Sequence, residues 1–132
     1  MVEAALSIAV VDDEEPVRKE LRRLLRLAGH TVQTFPSGQA FLDSLDVHRP
    51  HCLILDLYMP GLNGLQVLEQ LRAAGSDLPA VVITAHDHPQ MQGQCIAAGA
   101  TACLSKPLSE QQLLEAIAIA TGNRPMPRAQ PT

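Results

Sequence analysis

The sequence predicts an α/β fold, with a parallel five-stranded sheet between two helical layers built from a βα unit repeated five times. Three observations carry that prediction. Short aliphatic runs of strand length alternate with longer stretches whose apolar residues recur every three or four positions. Glycine, proline and other turn residues separate the two kinds of segment. Four of the strand-like runs end in polar residues, which a parallel sheet with right-handed crossovers gathers along one edge. That edge is where open α/β sheets bind their ligands.

Each element has its own signal. Ile8-Ala9-Val10-Val11 is a buried strand that ends in Asp12-Asp13. Glu14 and Glu15 followed by Pro16 suit a helix start. Val17, Leu21, Leu24, Leu25 and Ala28 then form an apolar stripe that Gly29 closes. The other side of this helix carries Arg18, Lys19, Arg22, Arg23 and Arg26, a solvated face or a docking surface for an acidic or helical partner. Thr31 to Phe35 alternates, as a half-exposed strand near an edge does. Ser37 is placed to cap a helix running to about Leu45.

The central strand is Cys52-Leu53-Ile54-Leu55, which runs into a single carboxylate, Asp56, before Pro60-Gly61 stops it. Leu65, Leu68 and Leu71 mark the next helix, and Gly75 its end. Ala80 to Thr84 is another apolar strand, ending in a hydroxyl. His86-Asp87-His88-Pro89 opens a weak helix to about Ala98, interrupted by Gly93, which costs roughly 1 kcal/mol relative to alanine. Thr101 to Leu104 is a short strand ended by Ser105-Lys106-Pro107. Ser109 caps a last helix with Leu113, Leu114, Ile117 and Ala118 facing inward, stopped by Gly122. Residues 1–122 are thus one domain, and 123–132, with three prolines, a linker or disordered tail.

Composition narrows the function. A chain of 132 residues with 46% hydrophobic and 2% aromatic content must build an aliphatic core. A formal charge of −4 gives no reason to expect nucleic acid bound by this domain. Cys52, Cys95 and Cys103 show no C-x-x-C spacing and suit reduced, buried thiols. No apolar run reaches membrane-spanning length, and the N-terminus lacks the basic start of a leader, so a cytoplasmic protein is expected.

The chemistry lies in the strand ends. Asp12, Asp13, Asp56, Thr84 and Lys106 meet on one edge. Singly, an aspartate here is a turn residue or a helix cap. Together, three carboxylates repel by roughly 3 kcal/mol per pair at about 5 Å, and a buried trio stays ionised only with a cation. Hard oxygen donors suit Mg²⁺, a common handle for phosphoryl groups. Lysine and a hydroxyl opposite such an ion would bind the other phosphoryl oxygens, and Asp56 is a competent nucleophile for an acyl phosphate.

The chain resembles a response-regulator receiver domain of bacterial two-component signalling over about residues 6–121. The motifs are Val10-Val11-Asp12-Asp13-Glu14, Asp56-Leu57-Tyr58-Met59-Pro60-Gly61-Leu62-Asn63-Gly64, Thr84-Ala85-His86 and Lys106-Pro107. The wording around Asp56 and Thr84 is similar to receivers of nitrogen-fixation-type regulators, which carry a helix-turn-helix output. The resemblance implies the flavodoxin-like strand order 2-1-3-4-5. It implies that Asp56 is the phosphoacceptor and that Asp13, Asp56 and the Tyr58 backbone carbonyl hold Mg²⁺, with Asp12 acting through a water. It also implies that Thr84 senses the phosphoryl group, Ala85 leaves the approach open, Lys106 pairs with the phosphoryl group, and the bond before Pro107 is cis.

The implied phosphodonor is a sensor histidine kinase. A homodimer through the faces of the fourth and fifth helices is common in the family, though the residues leave it open. One departure stands out: Cys103 occupies the position where the family usually has a switching aromatic. Signalling is then expected to rest on Thr84 and on the loop around Asp87 and His88. Receivers catalyse only their own phosphorylation and dephosphorylation. A Mg²⁺-dependent aspartyl-phosphate phosphatase would carry a second aspartate two residues after the nucleophile, where Tyr58 stands. A pseudo-receiver would have lost one of the five key residues.

Overall fold

The computed structural model describes residues 5–85 and 88–122. The expected tail at 123–132, together with His86 and Asp87, lies outside the described residues. The ten elements alternate as expected: β1 (Ser7–Val11), α1 (Glu15–Leu27), β2 (Thr31–Phe35), α2 (Gly38–Ser44), β3 (Cys52–Asp56), α3 (Gly64–Ala73), β4 (Ala80–Thr84), α4 (Pro89–Ala97), β5 (Ala102–Ser105) and α5 (Glu110–Thr121). All strand pairings are parallel, and the order is β2-β1-β3-β4-β5. This is the flavodoxin-like three-layer arrangement.

Side-chain alternation on the central strands divides the core in two. Ala9, Val11, Leu53, Leu55, Ala80 and Val82 face α2, α3 and α4, packing on Phe41, Val67, Leu68, Leu71 and Cys95. Ile8, Val10, Cys52, Ile54, Val81 and Ile83 face α1 and α5, packing on Leu21, Leu24, Leu25, Leu113 and Ile117. Strands covered on both faces have no polar face to show, which is why β3 and β4 read as unbroken apolar runs. β2 alternates because it is an edge strand, with Thr31 and Gln33 exposed.

The caps explain the boundaries. Ser37 accepts from the Ala40 amide at 3.1 Å and Ser109 from the Gln112 amide at 3.3 Å. Asn63 and Gln66 form a reciprocal capping box at the start of α3. Gly29 (φ 99°) and Gly122 (φ 71°) end their helices in the left-handed region, where a side chain would be strained. Ala28 is exposed, contrary to the apolar stripe drawn through it, because α1 has ended at Leu27 and the chain is already turning. Arg72 ties α3 to α4: its guanidinium donates to the carbonyls of Ala98 (3.1 Å), Gly99 (3.1 Å) and Ser76 (3.0 Å). Histidines hold the start of β1. The Leu6 and Ser7 amides donate to Nδ1 of His30 and His51, and Ser7 Oγ lies 2.7 Å from His48 Nε2.

Candidate functional site

The sheet's carboxyl edge brings the expected residues together. β1 and β3 are hydrogen-bonded neighbours, so the turn after Val11 and the end of β3 put Asp12, Asp13 and Asp56 side by side. One carboxylate oxygen from each lies within 4.8 Å of the others. Asp12 and Asp56 are buried, at 0% and 4% exposure. Asp13 is not. It was expected in a buried trio, but it is exposed, since it sits two residues past the end of β1, on the solvent side of the turn.

Asp12 is held from several directions. Its Oδ1 accepts the Glu14 amide at 2.9 Å and its Oδ2 accepts Lys106 Nζ at 3.0 Å. Its backbone carbonyl accepts from Arg18 at 2.7 Å. Lys106, just past β5, places its ammonium 3.0 Å from Asp12, 3.5 Å from Asp56 and 3.7 Å from Glu14. The Lys106-Pro107 bond is cis, and the Lys106 amide donates to the Thr84 carbonyl at 2.8 Å. Thr84 is fully buried at the end of β4, one residue past Ile83, which is in register with Asp56. Ala85 follows it and is exposed.

The loop after Asp56 is shaped by close backbone approach. A Cβ on Gly64 would lie 2.7 Å from the Asp56 carbonyl oxygen and 2.9 Å from Leu57 Cα, so only glycine lets α3 begin this close to β3. The Gly64 amide donates to the Leu57 carbonyl at 2.8 Å. Tyr58, in that loop, is half-buried, and its ring meets His88 edge-on with centroids 5.7 Å apart.

The electrostatics are those of two buried carboxylates that share one ammonium. Burial, reinforced by the neighbouring charge of Asp12, pushes Asp56 up to about 6, although Lys106 pulls the other way. Burial alone would lower the Lys106 ammonium. The hydrogen bond to Asp12 and the charges of Asp56, Asp12 and Glu14 outweigh it and hold its pKa above the usual lysine value. Three hard oxygen donors this close together could hold a metal ion.

The thiols show no such activation. Burial pushes Cys52 up to about 12 and Cys95 up to about 11, and it raises Cys103 as well. Cys103 is only partly buried, against the expectation for all three cysteines, because β5 is an edge strand. Raised thiol pKa values leave little thiolate, the reactive form. Among the described residues, no helix is long and apolar enough to cross a membrane.

The chain is similar to known proteins over most of its length. The model of the response regulator receiver domain matches residues 8–118. The response regulator MprA of Mycobacterium avium (strain 104) is 42% identical over 109 residues, covering 83% of this chain and 48% of MprA. The chain thus spans about half the length of the curated relatives it matches. Among solved structures, the response regulator StyR superposes with a TM-score of 0.79 at 43% identity, covering 90% of this chain and 60% of StyR. FixJ-N superposes with a TM-score of 0.84 at 33% identity, covering 93% of this chain and 98% of that one. The chain belongs to the response regulator receiver domains of two-component signal transduction.

Proposed function

We propose that residues 1–122 accept a phosphoryl group on Asp56 from a sensor histidine kinase and pass the signal on by a change in conformation. The observation that supports this most strongly is the meeting of Asp12, Asp13 and Asp56 within 4.8 Å, with Lys106 bridging Asp12 and Asp56. Asp13, Asp56 and the Tyr58 carbonyl would hold Mg²⁺ directly. Both oxygens of Asp12 already accept hydrogen bonds, which suits a role through water. Bound there, Mg²⁺ would neutralise charge on the transferring phosphoryl group. Asp56 attacks phosphorus, the donor's bond to phosphorus breaks, and its electron pair leaves with the donor. Lys106 moves from Asp56 to the new phosphoryl oxygens, and Thr84 donates its hydroxyl to them and reports their presence.

With Cys103 in the usual aromatic position, Thr84 and the segment entering α4 carry the switch. Ala85 leaves the approach to Asp56 open. The domain turns over no separate substrate. The domain would act in the cytoplasm, either on an output such as a helix-turn-helix domain in the manner of nitrogen-fixation-type regulators or as a stand-alone receiver through protein–protein contacts. A homodimer forming on phosphorylation is compatible with exposed Ile96 on α4 and Ile119 on α5.

Incubation with acetyl phosphate and Mg²⁺ is expected to add one phosphoryl group per chain by intact mass, and chelation of the metal to prevent it. Multiple turnovers of a phosphate monoester would instead indicate a phosphatase.

A further inference from the structure

Glu14 belongs to the Asp12-Asp13-Glu14 run, yet phosphoryl transfer onto Asp56 gives it no task. Its side chain is 62% exposed while one carboxylate oxygen lies 3.7 Å from Lys106 Nζ. The ammonium's other two partners are the buried carboxylates of Asp12 and Asp56, and the lysine side chain itself is only 16% exposed. Glu14 is therefore the outermost group on Lys106, at the solvent end of the cluster. With Nζ 3.5 Å from Asp56 and 3.7 Å from Glu14, the two carboxylate oxygens can be no more than about 7 Å apart. At that distance, in a wet environment, a unit charge still acts measurably on an incoming anion, and salt screens it.

We infer that Glu14 is a specificity-determining residue for the phosphodonor: its carboxylate at the outer end of the Lys106 cluster disfavours small donors in proportion to their negative charge. The inference rests on Asp56 being the phosphoacceptor. In each reaction compared, an Asp56 carboxylate oxygen forms a bond to phosphorus. With acetyl phosphate the P–O bond breaks and its electron pair leaves on acetate. With phosphoramidate the P–N bond breaks and its pair leaves on nitrogen, which departs as ammonia after taking up a proton. Acetyl phosphate is a dianion at neutral pH, and phosphoramidate carries less negative charge. The two donors therefore differ in the property Glu14 would sense.

The test compares initial labelling rates of the intact chain and its Glu14→Gln variant with both donors, at saturating Mg²⁺, by quenched intact-mass measurement. At low salt, Glu14→Gln should speed acetyl phosphate by about 5-fold and phosphoramidate by about 2-fold. The difference between donors should shrink as salt rises. An unchanged rate, or the same factor for both donors at every salt concentration, overturns the inference, since an effect that ignores donor charge cannot come from the field of the Glu14 carboxylate. A parent protein that takes no label, or an Asp56→Asn protein that labels as well as the parent, refutes the assignment of Asp56 instead.

Discussion

Replacing Asp56 with asparagine is expected to reduce phosphoryl incorporation from acetyl phosphate to background. An amide is a poor nucleophile towards phosphorus, and neither neighbouring carboxylate can stand in for Asp56. Asp12 is fully buried and engaged on both oxygens, by the Glu14 amide and by Lys106. Asp13 is exposed and makes no ion pair with Lys106, so an acyl phosphate there would lack the ammonium's help. Intact mass and peptide mapping after a timed incubation read the result directly. Label appearing on another residue at the parent rate would move the acceptor elsewhere.

The same substitution should also stabilise the fold, in a pH-dependent way. The folded protein holds the Asp56 proton with a pKa of about 6, against an ordinary value of 3.8. The protonated carboxyl favours the folded state below the ordinary value. That contribution is lost as pH rises through about 6, and above it the buried, ionised group costs the fold at most about 3 kcal/mol. Asparagine never ionises. The difference in melting temperature should be small near pH 4 and grow to roughly 10 °C by pH 7 in metal-free buffer. Millimolar Mg²⁺ should narrow it by stabilising the parent. Thermal unfolding followed by circular dichroism across this range checks the sign. A parent as stable as the variant at pH 7 without metal would mean that Asp56 carries no such strain.

Much of this was legible in the sequence because burial leaves a one-dimensional record. β3 and β4 are covered on both faces, so their runs are unbroken, and the first polar residue marks the sheet's edge. Strand order then brings Asp12, Asp56 and Lys106 together without any local signal linking them. What was not legible depends on geometry past the strand ends. Asp12 and Asp13 are adjacent in sequence, yet the turn between them sends one into the interior and the other into water. Nothing in the spacing says that Glu14 reaches Lys106 across the site.

The contacts of His30, His48 and His51 with β1, and of Arg72 with the end of α4, join segments 24 to 44 positions apart and have no periodic signature. The Asn63 capping box was available from its spacing to Gln66, a pattern that Gly64 obscures by looking like a loop residue.

Calorimetric titration of the metal-free protein with Mg²⁺ at pH 7.5 bears most directly on the proposed cation site at Asp13 and Asp56. One ion should bind per chain at millimolar concentrations or below, with binding lost or weakened at least about 10-fold in Asp13→Asn and in Asp56→Asn. No binding heat from the parent, or equal affinity in all three proteins, would contradict it.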